Sequence, residues 1–179
     1  MAGGSGLGGI NTGYNRGVVG GLLHEINRLI VDYGVDLLPC NKRVNFVLEL
    51  YQESFKSRPE FATMNAWQFI CWYFAYLVGD YYRVNKRTES ANWKRLTGAC
   101  VSYILQKLKD QGCSIEDEYK LRFVKTLRNG VRDGREETDL AVELYGLVQE
   151  KTLAMDRVQV GEPCEVDDEI PGKTTWGDF

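Results

Sequence analysis

The sequence predicts an all-α protein: a single bundle of about six helices, with a Gly-rich N-terminal arm and an acidic C-terminal tail. Apolar residues recur at spacings of three and four through most of residues 18–155. No two-residue Gly turn joins alternating apolar segments, so strands are not needed. With 44% hydrophobic and 26% charged residues in 179, the composition fits one folded domain, placed at residues 18–155.

The first two helices are identified by their apolar spacing and by their ends. The first is predicted from about Val18 to Gly34. The second follows Asn41, a residue type that caps helices, and stops before Pro59, because the residue before proline is disfavoured in a helix. Residues 1–17 hold seven of the nineteen glycines and have no apolar period, which predicts a flexible arm.

The third helix, predicted from about Glu60 to Arg83, contains the densest apolar stretch of the chain. In its segment WQFICWYFAYLV, residues 67–78, eleven of twelve residues are hydrophobic. Twelve helical residues span only about 18 Å, whereas a bilayer core is about 30 Å thick, so this segment is not predicted to cross a membrane.

This helix has two apolar faces, and the second needs cover of its own. That second face carries Phe69, Trp72, Tyr73 and Tyr76. Either other helices of the bundle cover these rings, which would make the helix central, or a second copy of the chain or another protein does. Burial within the bundle is the favoured alternative, and the four residues are the candidate protein-interaction face under the other.

Three further helices complete the predicted bundle. The fourth, from about Ser90 to Gln111, is followed by Gly112 as a C-terminal cap. The fifth is predicted to open at a capping box of Ser114 and Asp117 and to stop near Gly130. The sixth runs from about Glu136 to Met155. Residues 156–179 contain two prolines and seven acids and are predicted to be an extended or disordered tail.

Charge is distributed unevenly along the chain, whose overall net charge is −3. Residues 81–133 hold 12 Lys and Arg against 6 Asp and Glu, whereas residues 156–179 hold 2 against 7. Such a basic segment indicates a surface for an anionic partner, or for the acidic tail of the same chain. The candidate nucleic-acid-binding residues are Arg83, Lys86, Arg87, Lys94, Arg95, Arg122, Lys125, Arg128 and Arg132.

These cations suggest a way to bind nucleic acid. Arg122, Lys125, Arg128 and Arg132 follow one another at spacings of three, three and four and form a stripe on the fifth helix. The stripe would neutralise phosphates while the nearby rings of Tyr81, Tyr82 and Trp93 stack on unpaired bases. The alternative is a solvated helix face whose aromatic neighbours belong to the core.

The tail supplies a second candidate interaction site. Trp176 and Phe179 stand among acids near the C-terminus, a pattern that can dock into a partner's apolar pocket with a basic rim. The alternative is that the two rings hold the tail against its own domain.

The sequence matches to catalytic and metal-binding motifs lack the residues or the structural context that such sites require. The only histidine is His24, and the G-x-G-x-x-G match at residues 4–9 has no strand before it to deliver a phosphate-binding loop. The five cysteines are widely spaced and lack a Cys-x-x-Cys pair, which indicates neither a disulfide framework nor a zinc module. We therefore predict no catalytic residue, metal or cofactor, and a reducing compartment, the cytoplasm or nucleus.

Together these observations predict a non-enzymatic helical association protein. It is expected to self-assemble and to bind nucleic acid, RNA ahead of DNA, through residues 81–133. The alternative is a protein-interaction module or adaptor whose aromatic face or Trp-containing tail docks a partner protein.

Overall fold

The computed structural model describes residues 12–35, 44–56, 58 and 65–161, with side chains described for 17–35, 46–56, 58 and 65–154. Within these ranges the chain forms six helices and no strand, so the predicted all-α fold class is confirmed. The helices are α1 (Thr12–Asp32), α2 (Val44–Ser54), α3 (Ala66–Val84), α4 (Ala91–Asp110), α5 (Asp117–Arg132) and α6 (Glu137–Gly161).

The first and last helices, α1 and α6, are longer than predicted. Helix α1 begins at Thr12, so the predicted arm is wrong over residues 12–17, where two glycines lower helix propensity without preventing a helix. Helix α6 continues past Met155 to Gly161, because no proline or glycine interrupts residues 156–160 even though the apolar period has ended. Residues 1–11 and 162–179, with Trp176 and Phe179, lie outside the described residues.

The caps also differ from those predicted. Asn65 is extended and begins α3 with a capping box: its Oδ1 accepts from Gln68 N at 2.8 Å, and Gln68 Oε1 accepts from Asn65 N at 3.2 Å. The predicted start near Glu60 is therefore wrong. The capping box predicted at Ser114 is also wrong, because α5 begins after Glu116, whose side chain makes no capping hydrogen bond.

Two glycines near helix ends have different roles. Gly112 follows α4 with a φ of +95°, and the amide of Cys113 closes the turn on Leu108 O at 3.0 Å, so the predicted C-terminal cap is confirmed. Gly130, predicted to stop the fifth helix, instead lies inside α5 and is buried. A Cβ on Gly130 would come within 2.5 Å of Leu140 Cδ1, so the missing side chain lets α5 approach α6 closely.

Helix α3 is the central helix of the bundle. It packs most extensively against α6 and also contacts α2, α4 and α5. Fourteen of its nineteen residues are buried, which is too many for one amphipathic face. Phe69, Trp72 and Tyr73 are each at most 1% exposed, and Tyr76 is half-buried with its ring stacked 5.4 Å from that of Trp72. The favoured alternative, cover by the chain's own helices, is the one observed.

The packing of α4 and α5 brings the basic segment together. The two helices are neighbours, and Arg128 on α5 donates from Nε to Thr97 Oγ1 on α4 at 2.9 Å. Arg132, one turn further on, reaches Glu89 in the connection between α3 and α4. That connection, the first half of α4 and the last half of α5 therefore form one end of the bundle.

Candidate nucleic-acid interface

Three of the nine predicted phosphate-binding residues are held in salt bridges between elements. Arg83 Nη2 lies 3.2 Å from Glu137 Oε2 and 3.8 Å from Asp80 Oδ1. Arg122 donates to both carboxylate oxygens of Glu150, at 3.0 and 2.7 Å. The predicted stripe on α5 is therefore not a continuous row of unpaired charge.

The third of these pairs lies closest to the remaining cations. Arg132 donates from Nε and Nη2 to the two carboxylate oxygens of Glu89, at 2.6 and 3.2 Å. This hydrogen bonding holds the pKa of Glu89 below its ordinary value of 4.5 and raises that of Arg132. The pair joins the α3–α4 connection to the end of α5 and keeps both side chains charged near neutral pH.

We call the other six predicted residues the cationic face; they lie on the α3–α4 connection, the first two turns of α4 and the second half of α5. Among the described residues, none of the six makes a salt bridge with an acid. Five are exposed and one, Arg128, is half-buried. The cationic face consists of Lys86, Arg87, Lys94, Arg95, Lys125 and Arg128.

Two of these cations, Lys94 and Arg128, are placed together by a hydrogen bond and by their effect on Glu89. Arg128 Nη2 donates to the carbonyl oxygen of Lys94 at 3.3 Å, which brings α5 cations to the first turn of α4. Both Lys94 and Arg128 lower the pKa of Glu89 through their charge, after the larger effect of its hydrogen bond with Arg132. Glu89 therefore lies close to both cations, and Asp133 lies close to Arg132.

The backbone at one edge of the cationic face is in an unusual conformation. Lys86 and Arg87 both have a φ of +59°, in the left-handed region that non-glycine residues seldom adopt. Their amides donate to Arg83 O at 3.1 Å and Tyr82 O at 2.8 Å, which holds the turn in place. The cost of this conformation is about 1–2 kcal/mol for each residue, and the turn presents two adjacent cations to solvent.

The rings predicted to stack on bases are turned inward. Trp93 is fully buried and donates from Nε1 to Val78 O at 3.3 Å. Tyr82 is 6% exposed, and its ring lies 5.1 Å from that of Trp93. Tyr81 is half-buried and packs against the core. The predicted combination of phosphate contacts with ring stacking is wrong for Tyr82 and Trp93, because both rings fill the space between α3 and α4.

The candidate protein-interaction face on α3 is likewise inside the bundle. Phe69, Trp72 and Tyr73 make ring contacts with one another or with Tyr51 of α2, at centroid distances of 5.3 to 6.1 Å. A partner could reach these rings only if α2 or α6 moved away. The surface that suggested self-association is thus covered by the same chain.

An open groove of about 620 Å³ lies at the opposite end of α4 and α5. Its wall combines five acids with four cations: Glu25, Asp32, Asp110, Glu116, Asp117, Arg28, Lys107, Lys109 and Lys120. Glu25 accepts a hydrogen bond from the Tyr103 hydroxyl at 2.6 Å and lies 3.4 Å from Lys107 Nζ. Lys151 lowers the pKa of Glu116, which is the opposite of the shift that a general acid requires. Two of the five acids, Glu25 and Glu116, are thus paired with cations.

The remaining sequence candidates add no further site. His24 is exposed on α1, and Cys71, Cys100 and Cys113 are buried and form no disulfide. In the described part of the chain, no three His, Cys, Asp or Glu residues are grouped as a metal site would require. Nor does any described helix combine the length and apolarity needed to cross a membrane.

Comparisons with protein families, with curated proteins and with solved structures found no match for this chain. The cationic face therefore stands on its own geometry. The cations are visible in the sequence, but the acids that form salt bridges with three of the nine are not. Glu89, Glu137 and Glu150 lie 28 to 54 residues from their partners. No spacing rule connects residues that far apart.

Proposed function

We propose that this protein is a non-enzymatic nucleic-acid-binding protein whose cationic face contacts phosphates. The observation that supports the proposal is the concentration of unpaired cations at one end of the bundle. Lys86, Arg87, Lys94 and Lys125 are exposed and have no salt bridge there, whereas Arg83, Arg122 and Arg132 are paired. Exposed cations without an acidic partner can neutralise phosphates.

The proposal favours RNA over DNA as the ligand. It places the protein in the cytoplasm or the nucleus. Both assignments remain part of the proposal. Because RNA and DNA present the same phosphate chemistry, the two ligands form separate arms of every binding experiment. The three described thiols are compatible with a reducing compartment.

The direct test removes charge from the cationic face without touching its hydrogen-bonded members. In the variant K86Q/R87Q/K94Q/K125Q, four exposed cations are neutralised while Arg128 keeps its bonds to α4. We expect this variant to bind a labelled RNA or DNA at least tenfold more weakly than wild type at about 50 mM salt, measured by fluorescence anisotropy.

A matched control separates a local surface from a general charge effect. The variant R28Q/K109Q/K120Q loses three positive charges from exposed positions on the groove at the opposite end of α4 and α5. The proposal expects its affinity to stay within about threefold of wild type, because screening confines charge effects to about 10 Å. Equal weakening of both variants, or no binding by wild type, contradicts the proposal.

A further inference from the structure

Among the side chains that the structure describes, no exposed aromatic ring lies at the cationic face. Trp93 and Tyr82 lie in the core, and Tyr81 packs against it. The exposed aromatic residues among the described side chains are Tyr33 and Phe46, on α1 and α2. Tyr33 donates its hydroxyl to Ser102 Oγ, in the half of α4 that lines the groove, so it is distant from the first turn of α4.

Single-stranded nucleic acids depend on such rings for much of their binding energy. Stacking of a base on an aromatic side chain contributes about 1–3 kcal/mol per base, and sites for single strands combine it with a charged groove. A surface with cations alone loses that contribution. Phosphate contacts remain, and they are strongest for the ligand with the densest charge.

A duplex supplies that density and keeps its bases stacked without help from the protein. Its two strands carry about one negative charge per 1.7 Å of helix axis, and each neutralised phosphate releases more counterion than on a single strand. A duplex is also already ordered, so binding does not have to immobilise a flexible chain.

The backbone that carries the cationic face is held in place by contacts between elements. Arg128 is fixed against α4 by hydrogen bonds of 2.9 and 3.3 Å to Thr97 Oγ1 and Lys94 O. From Lys125 to Arg132, α5 advances about 10 Å at roughly 1.5 Å per residue. The salt bridge of Arg132 with Glu89 anchors the α3–α4 connection beside it.

Resting on the proposed function, we infer that the ligand of the cationic face is a double-stranded nucleic acid, bound through its phosphates with little preference for base sequence. The duplex is either A-form RNA or B-form DNA, and the experiment below distinguishes the two.

Competition between defined ligands tests the inference. Wild-type protein is bound to a labelled RNA duplex and displaced by unlabelled RNA duplex, by DNA duplex of the same sequence, or by either single RNA strand. We expect the duplexes to displace the label at concentrations at least tenfold lower per nucleotide than the single strands. A change of duplex sequence should alter affinity less than threefold.

A substitution at Tyr81 provides a second, independent reading. Tyr81→Leu removes the half-buried ring nearest to the α3–α4 connection while keeping an apolar side chain against the core. The inference expects duplex affinity to stay within twofold of wild type and the melting temperature to change little.

The outcomes separate this inference from the function on which it rests. Tighter binding of single strands, a strong sequence preference, or a tenfold loss of affinity in Tyr81→Leu overturns the inference and leaves nucleic-acid binding in place. If no nucleic acid binds at low salt, both the inference and the proposed function fail.

Discussion

At the scale of single residues, Lys86 and Arg87 combine an unfavourable backbone conformation with exposed positive charge. Two consecutive residues with a φ of +59° are an unfavourable way to join α3 to α4, since glycine or asparagine adopts this conformation at lower cost. Strain of this kind persists where the surrounding structure holds it, and it is concentrated at functional sites. Here the strained residues are also two of the four exposed cations that the proposal uses.

Replacing these two residues by glycine should therefore separate stability from binding. Lys86→Gly and Arg87→Gly relieve the left-handed strain, and after allowance for the more flexible unfolded chain we expect each to raise the free energy of unfolding by up to about 1 kcal/mol. Each should also weaken nucleic-acid binding, because a cation is lost. Urea unfolding and anisotropy titration measure the two effects.

Lys94→Gly is the matched control for this prediction. It removes a cation from the same face, but at a position inside α4, where glycine destabilises a helix by about 0.5–1 kcal/mol. Binding should weaken as in Lys86→Gly, while stability changes in the opposite direction. If all three substitutions destabilise the chain alike, the strain at the connection is not real.

At the scale of elements, the close approach of α5 to α6 depends on Gly130. Gly130→Ala would place a methyl group within 2.5 Å of Leu140 Cδ1, and Leu140 is only 1% exposed, so it has little room to move. We expect a loss of about 1–3 kcal/mol from overpacking, in spite of alanine's higher helix propensity. Thermal unfolding monitored by circular dichroism measures this loss.

Gly146→Ala is the corresponding control in α6. A Cβ at Gly146 meets no atom within 4 Å, so the substitution should stabilise the helix by up to about 1 kcal/mol. A neutral or stabilising Gly130→Ala would mean that α5 and α6 pack less closely than the structure indicates.

Three salt bridges attach α5 or its N-terminal cap to neighbouring elements and should make stability depend on pH. Arg132, Lys151 and Arg122 lower the pKa values of Glu89, Glu116 and Glu150 from their ordinary 4.5. Because the folded-state pKa values are the lower ones, their contribution is present above the unfolded value and is lost as pH falls through the folded values. The melting temperature should therefore be nearly constant between about pH 5 and 7 and fall below about pH 4.5.

The variant E89Q/E116Q/E150Q isolates this contribution. Its melting temperature should be below that of wild type at neutral pH, and the difference should shrink as the pH falls through the folded-state pKa values and the wild-type carboxylates become protonated. These pairs are exposed to solvent, so we expect a modest effect that decreases with added salt. A difference that is the same at all pH values would show that the ion pairs are not its source.

At the scale of the whole molecule, the features predictable from sequence are those set by local periodicity. The apolar stripe of Leu96, Cys100, Ile104 and Leu108 on α4 is buried, because apolar spacing on one helix determines which face can be covered. The central position of α3 was likewise indicated by its two apolar faces. Helix ends at Thr12 and Gly161 were missed, since weak local propensity does not fix where a helix begins or ends.

The candidate site was predictable only in part, for a similar reason. The cations were visible as a charge imbalance, but their pairing depends on distant acids such as Glu150, and the burial of Trp93 depends on packing between α3 and α4. The left-handed turn at Lys86 had no sequence signal, because neither glycine nor asparagine occupies the two positions.

The negative charge of residues 162–179 predicts that deleting them changes nucleic-acid binding. Residues 162–179 carry six acids and one lysine. Deleting them should strengthen binding to nucleic acid several-fold at low salt, because a negative segment repels phosphates or competes for the cationic face, and the gain should vanish at about 0.5 M salt. Weaker binding after the deletion would instead favour the alternative in which the tail itself docks a partner.

The salt dependence of binding tests the central claim, phosphate contact by the cationic face, most directly. A plot of log K against log salt for wild type and a duplex should be linear with a slope of about −4 to −5, given about 0.9 counterions released per phosphate contact. For K86Q/R87Q/K94Q/K125Q the slope should be shallower by about 3 to 4. Equal slopes for the two proteins, or no binding by wild type at the lowest salt, would contradict the claim.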